Sequence, residues 1–117
     1  LIAMTRAVLA LSKIIDISNG ILLVDGRDIL PDLIPKFGGL TQHAVVSGDQ
    51  FVKQISAASI IAKVARDKMM KSFSVSYPRY GFDKHKGYGT EVHRDAIKKY
   101  GVLGIHRKSF GGVKEFI

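Results

Sequence analysis

Two apolar runs, each ending in an aspartate, constrain this chain more than any other feature. The first is Ile21-Leu22-Leu23-Val24-Asp25-Gly26 and the second is Ala44-Val45-Val46-Ser47-Gly48-Asp49. The continuous run Ile21–Val24 reads as a strand buried on both faces, as in parallel sheets covered by helices. That points to an α/β architecture. Open α/β sheets bind ligands outside the carboxyl ends of their strands, which is where Asp25 and Asp49 fall. Two carboxylates on neighbouring strands can share a divalent cation, because Mg²⁺ and Mn²⁺ take oxygen ligands. The competing reading is turn chemistry, since Asp-Gly after a strand is an ordinary turn pair.

The remaining segments supply helices and loops. Leu1 to Asp16 reads as a helix with a Met4, Val8, Leu11, Ile15 stripe, stopped by Ser18-Asn19-Gly20. Pro31, Pro35 and Gly38-Gly39 make Arg27 to Leu40 a loop. The second strand runs from Gln42 to Ser47, which leaves only a short crossover between the strands. A long helix opens at Gln54 or Ser56 and runs to about Ser76, where Pro78 ends it. Its small residues, Ala57, Ala58, Ser59, Ala62 and Ala65, are expected to pack closely against a sheet or another backbone. Tyr77 to Gly89 reads as an irregular loop. Thr90 then caps a helix over Glu91–Tyr100, with Lys98 and Lys99 in its last turn and Gly101 just past it. Val102 to Ile117 is a short apolar and basic tail. No repeat, low-complexity tract or linker interrupts the 117 residues, so one domain is expected over 1–117. The chain starts at Leu1 inside an apolar periodic segment, as a piece of a longer protein would.

Charge is distributed unevenly. Residues 1–50 carry four Lys or Arg against five Asp, net −1, whereas 51–117 carry fourteen against five acids, net +9. A basic half beside a mildly acidic one suits a polyanion held near a carboxylate site. A solvated basic surface is the alternative. In the basic half, Tyr77-Pro78-Arg79-Tyr80-Gly81-Phe82 and His85-Lys86-Gly87-Tyr88-Gly89-Thr90 interleave aromatic rings, cations and glycines. Nucleic-acid grooves need that mixture: cations for phosphates and flat rings for sugars or bases. Tyr77, Tyr80 and Phe82 are expected in the core, and Tyr88, between two glycines, is the better contact candidate.

Other chemistries are poorly served. There is no cysteine for a disulfide or thiolate site. His85, His93 and His106 match no standard zinc spacing. Walker A, G-x-S-x-G and G-x-G-x-x-G motifs are missing. No apolar run reaches the roughly 18 residues of a membrane span, and no secretory signal is visible, so a cytoplasmic protein is expected.

Taken in order, the motifs resemble those of ribonuclease HII. The resemblance rests on Leu23-Val24-Asp25-Gly26, Ser47-Gly48-Asp49, the run Ile55-Ser56-Ala57-Ala58-Ser59-Ile60-Ile61-Ala62-Lys63-Val64-Ala65-Arg66-Asp67, the segment Tyr77 to Tyr88, and Ile105-His106-Arg107-Lys108-Ser109-Phe110. It covers nearly the whole chain, as a C-terminal portion of the family. It implies a truncated ribonuclease H-like fold and endonucleolytic cleavage of RNA in RNA–DNA hybrids, including ribonucleotides embedded in duplex DNA. It also implies Mg²⁺ or Mn²⁺ on four carboxylates, and a monomer when intact. Asp25 and Asp49 match the third and fourth carboxylates, catalytic and metal-binding. Tyr88 matches the tyrosine that packs on the deoxyribose at an RNA–DNA junction. Lys63, Arg66, Lys84, His85, Lys86 and Arg107 match basic positions near the substrate. The family's adjacent Asp-Glu pair and its Gly-Arg-Gly segment are missing from this sequence, and both would lie before Leu1. The resemblance therefore implies an isolated chain with little or no activity. A non-catalytic nucleic-acid-binding module, or a structural RNA-binding protein, would use the same basic surface and ignore both aspartates.

Overall fold

The computed structural model describes residues 1–117. They form two compact units, Leu1–Ile60 and Ile61–Ile117, each with its own core. No linker composition marks the division, because it falls inside a helix.

The first unit contains α1 (Ile2–Leu11), β1 (Ile21–Asp25), a 3₁₀ turn at Pro31–Leu33, β2 (Thr41–Val45), α2 (Gly48–Phe51) and the start of α3 (Lys53–Ser76). β1 and β2 are parallel, in register from Ile21 opposite Thr41 to Asp25 opposite Val45. Val24, Leu30 and Leu33 are buried, with Val8, Leu9, Leu22, Phe37 and Leu40 packed around them. The connection between the strands contains no α-helix. Instead, the Gln42 side chain clamps it: Leu30 N–H donates to Oε1 at 2.9 Å and Nε2 donates to the Leu30 carbonyl at 3.1 Å. That bidentate clamp seats Leu30 in the core and satisfies both of its backbone groups. Burial of β1 is one-sided, contrary to expectation. Val24 is buried and Leu22 packs beside it, whereas Ile21, which alternation places on the opposite face, is exposed. α1 ends five residues before Asp16, and Ile14 and Ile15 beyond it are exposed.

The second unit contains the rest of α3, a 3₁₀ turn at Pro78–Tyr80, α4 (Phe82–His85), α5 (Glu91–Tyr100) and a 3₁₀ turn at Lys114–Phe116. Tyr80, Phe82, Ala96, Ile97 and Val113 form its core, with Tyr77 partly buried against them. The Tyr80 and Phe82 rings stack at 5.6 Å. The Tyr80 hydroxyl, its pKa raised by burial, donates toward the Gly101 carbonyl at 2.8 Å, with the Tyr100 carbonyl at 3.1 Å. This ties the end of α5 to the aromatic core. At the other end of α5, Thr90 Oγ1 accepts from the His93 N–H at 3.3 Å, the cap expected from sequence.

The alanine stripe does not pack as expected. Ala57, Ala58, Ser59, Ala62 and Ala65 are all exposed, as are Ile60, Ile61 and Val64. No part of this chain covers that stretch of α3. No helix is long and apolar enough to cross a membrane.

Candidate functional site

Asp25 ends β1, and Ser47-Gly48-Asp49 follows β2 after Val46 alone. Parallel pairing brings both to the carboxyl end of the sheet. Ser47 turns the chain with left-handed angles, φ 53° and ψ 36°. Such a conformation costs a non-glycine residue about 1–3 kcal/mol and persists only where neighbours enforce it. The enforcing contact is visible: the Gly48 N–H donates to Asp25 Oδ1 at 2.9 Å, a charge-assisted bond. Gly48 is buried and has no room for a side chain. A Cβ there would lie 2.5 Å from Ile55 Cδ1, 3.3 Å from Val45 Cβ and 3.4 Å from Asp25 Oδ1.

Asp49 is the next residue, in the first turn of α2, and both carboxylates are exposed. Their oxygens are the donor type that Mg²⁺ or Mn²⁺ prefers. Asp25 keeps Oδ2 free, and Asp49 makes no hydrogen bond or ion pair within the chain. No group of three or more His, Asp or Glu side chains is assembled that could hold an ion. The chain therefore offers ligands of the right chemistry in a number too small for a closed site.

The candidate nucleic-acid residues belong to the second unit. Tyr88 is 60% exposed, and the Arg66 guanidinium lies 5.7 Å from its ring centre. Arg107 lies 5.2 Å from the Phe110 ring. Arg66, Arg107, Phe110, Gly87 and Gly89 share the lining of a cavity of about 340 Å³. Gly87 has φ +80°, and a Cβ on it would fall 2.9 Å from Arg66 Nη2, so glycine lets Arg66 lie against the Tyr88 loop. Lys84 is exposed and Lys86 half-buried. Lys63 is exposed and pairs with Asp67 at 3.4 Å, a surface contact of little energetic weight.

His85 turns inward. It is buried, and both ring nitrogens are engaged by backbone: Nδ1 accepts from the Gly87 N–H at 3.1 Å and Nε2 sits 2.6 Å from the Tyr80 carbonyl. It has no nitrogen to offer a phosphate. Its ring stacks on His93 at 4.2 Å. His93 Nε2 is in turn 3.1 Å from His106 Nε2. Burial holds both His93 and His106 below the ordinary imidazole pKa, with the neighbouring imidazoles adding to the effect. Sequence spacing did not reveal this cluster. The one available signal was that His93 shares the buried face of α5 with Ala96 and Ile97, at i+3 and i+4.

The motif order and this geometry agree with direct comparison. The ribonuclease HII family model matches residues 3–113. The chain belongs to the ribonuclease HII family. It is 48% identical to the ribonuclease HII of Shewanella piezotolerans over 98% of this chain and 52% of that protein. Identity to the Nitrosococcus oceani ribonuclease HII is 47% over the whole chain and 53% of that protein. For the Borrelia duttonii ribonuclease HII it is 48%, over 82% of this chain and 50% of that protein. The chain thus spans about half the length of the curated relatives it matches. Its two parallel strands and flanking helices fit a truncated ribonuclease H-like fold.

Proposed function

We propose that this chain carries part of a metal-dependent endoribonuclease that cuts RNA within RNA–DNA hybrids, including ribonucleotides embedded in duplex DNA. The observation that carries the reading is the Asp25 carboxylate, held by the Gly48 amide beside Asp49 at a strand end. Asp25 and Asp49 would hold Mg²⁺ or Mn²⁺ together with two further carboxylates that this chain does not contain. When bound, the ion supplies charge stabilisation at the scissile phosphate and eases deprotonation of the attacking water.

The chain's own residues do the rest. The Gly48 amide fixes one oxygen of Asp25 and leaves the other without a hydrogen bond inside the chain. Arg66, Arg107, Lys63, Lys84 and Lys86 neutralise backbone phosphates. Tyr88 offers its ring face to a sugar at the RNA–DNA junction. Positioning of this kind supplies much of the rate in phosphodiester chemistry.

With two of four carboxylates present, the isolated chain is expected to bind hybrid but not to cut it. The test uses the intact protein and a labelled duplex containing one ribonucleotide. Asp25→Asn should abolish Mg²⁺-dependent cleavage and spare duplex binding. Cleavage that persists in Asp25→Asn would overturn the metal assignment. Salt-sensitive binding with neither hybrid preference nor metal dependence would favour a non-catalytic binding module instead.

A further inference from the structure

Two of the three buried histidines, His93 and His106, have no part in the roles above, yet their hydrogen bonds are fully determined. A neutral imidazole has one donor and one acceptor nitrogen. The Leu103 N–H donates to His106 Nδ1 at 2.8 Å, so the His106 proton is on Nε2. That N–H faces His93 Nε2 at 3.1 Å, which must accept. His93 therefore carries its proton on Nδ1 and donates to the Tyr88 carbonyl at 2.9 Å. By the same logic His85 accepts from the Gly87 N–H on Nδ1 and donates from Nε2 to the Tyr80 carbonyl. One backbone amide thus sets the direction of a whole chain of bonds, from Leu103 through His106 and His93 to Tyr88. Tyr88 is held from its other side as well, its N–H donating to the His85 carbonyl at 2.9 Å.

We propose that His93 and His106 are positioning residues for Tyr88: a neutral relay of fixed tautomers that holds the 85–90 loop and that a single added proton breaks. The substrate role of Tyr88 rests on the function proposed above; the relay itself does not.

Every acceptor nitrogen in the cluster already receives an N–H. A proton on the His93–His106 pair sets two N–H groups face to face at 3.1 Å. On His106 Nδ1 it opposes the Leu103 N–H, and on His85 Nδ1 the Gly87 N–H. No anion is at hand to compensate. Arg66 from α3, Arg94 from α5 and Arg107 from the C-terminal segment line the cavity beside His93 and His106, and no carboxylate does. From α4 the facing group is His85, and from the preceding 3₁₀ turn it is Tyr80, its hydroxyl committed to backbone carbonyls. The depressed imidazole pKa values of His93 and His106 are in keeping with this surrounding. The sign follows from linkage: as pH falls below about 6.5 the unfolded chain takes up protons first, so the relay is lost with acidification and is intact above that pH.

The test is ¹⁵N imidazole NMR on the full chain with amide exchange at Tyr88. At pH 7.5 the expected result is a single tautomer for each ring, protonated at Nε2 in His106 and at Nδ1 in His93. Intrinsically corrected protection at Tyr88 should fall by up to about tenfold per pH unit as pH drops below about 6.5, the limit set by uptake of one proton. His93→Asn, which retains a donor toward the Tyr88 carbonyl, should keep the protection at pH 7.5 and weaken its pH dependence, whereas His93→Leu should lose the protection at pH 7.5. Mixed tautomers, or pH-independent protection in the unmodified chain, would overturn the relay. Fixed tautomers combined with a Tyr88→Ala protein of unchanged hybrid affinity would overturn the positioning role by removing the substrate contact it serves.

Discussion

Gly48→Ala isolates the contact on which the carboxylate geometry depends. The new methyl would meet Ile55 Cδ1 at 2.5 Å, Val45 Cβ at 3.3 Å and Asp25 Oδ1 at 3.4 Å. Ile55 Cδ1 is a side-chain end and can swing aside, at a rotamer cost of about 0.5–1.5 kcal/mol. The contacts to Val45 and Asp25 then need shifts of a few tenths of an ångström, which places the total in the lower part of the 1–3 kcal/mol range of overpacked sites, about 1–2 kcal/mol. Ile55→Val deletes the offending methyl and should cost about 0.5–1.5 kcal/mol alone. If the clash is the cause, the double variant is less destabilised than the sum of the singles by about 1 kcal/mol, well outside the 0.3–0.5 kcal/mol scatter of independent sites. Urea denaturation followed by a probe in the 1–60 unit measures all four corners of the cycle. Additive losses would show that Gly48 is not held against Ile55 and that the close approach has been misread.

Three further expectations concern the second unit. Phe82, 2% exposed and in contact with the rings of Phe73, Tyr80, His85, His93 and His106, should cost about 3–5 kcal/mol when changed to Ala, with loss of near-ultraviolet dichroism as the readout. Thr90→Ala should cost about 0.5–1 kcal/mol in thermal unfolding, at the lower end for a cap, because its bond to the His93 N–H is long at 3.3 Å. Arg107→Ala should weaken hybrid binding and reduce the slope of log affinity against log salt by about 1, the loss of one phosphate contact; an unchanged slope would remove Arg107 from the interface.

How far the sequence reaches is clearest at α5. Thr90, Glu91, the terminal lysines and Gly101 all point to Glu91–Tyr100, and the helix has those bounds, because its local signals and tertiary packing agree. β1 and β2 were legible for a related reason, since short continuous apolar runs have few other uses. α2 was not. Four residues opening from a left-handed Ser47 follow no propensity, and the turn exists because the Gly48 amide reaches Asp25 twenty-three residues earlier. The Ala57–Ala65 stripe signals close packing without naming a partner, and no part of this chain supplies one. His85 reads as a surface cation between Lys84 and Lys86. Only the fold shows that Gly81, Lys86 and Gly87, all at positive φ, turn it inward onto the backbone. The aspartates themselves stand out at the ends of two apolar runs, and parallel register brings them to the same end of the sheet.

Mn²⁺ titration of the ¹⁵N-labelled chain tests the central claim most directly, because a paramagnetic ion broadens the amides nearest its ligands. Selective broadening at Asp25, Gly26, Gly48 and Asp49 is expected, weak for want of further ligands and absent in Asp25→Asn, a change that keeps an oxygen acceptor for the Gly48 N–H. Broadening centred elsewhere, or unchanged in Asp25→Asn, would contradict the assignment of these two strand-end carboxylates as cation ligands.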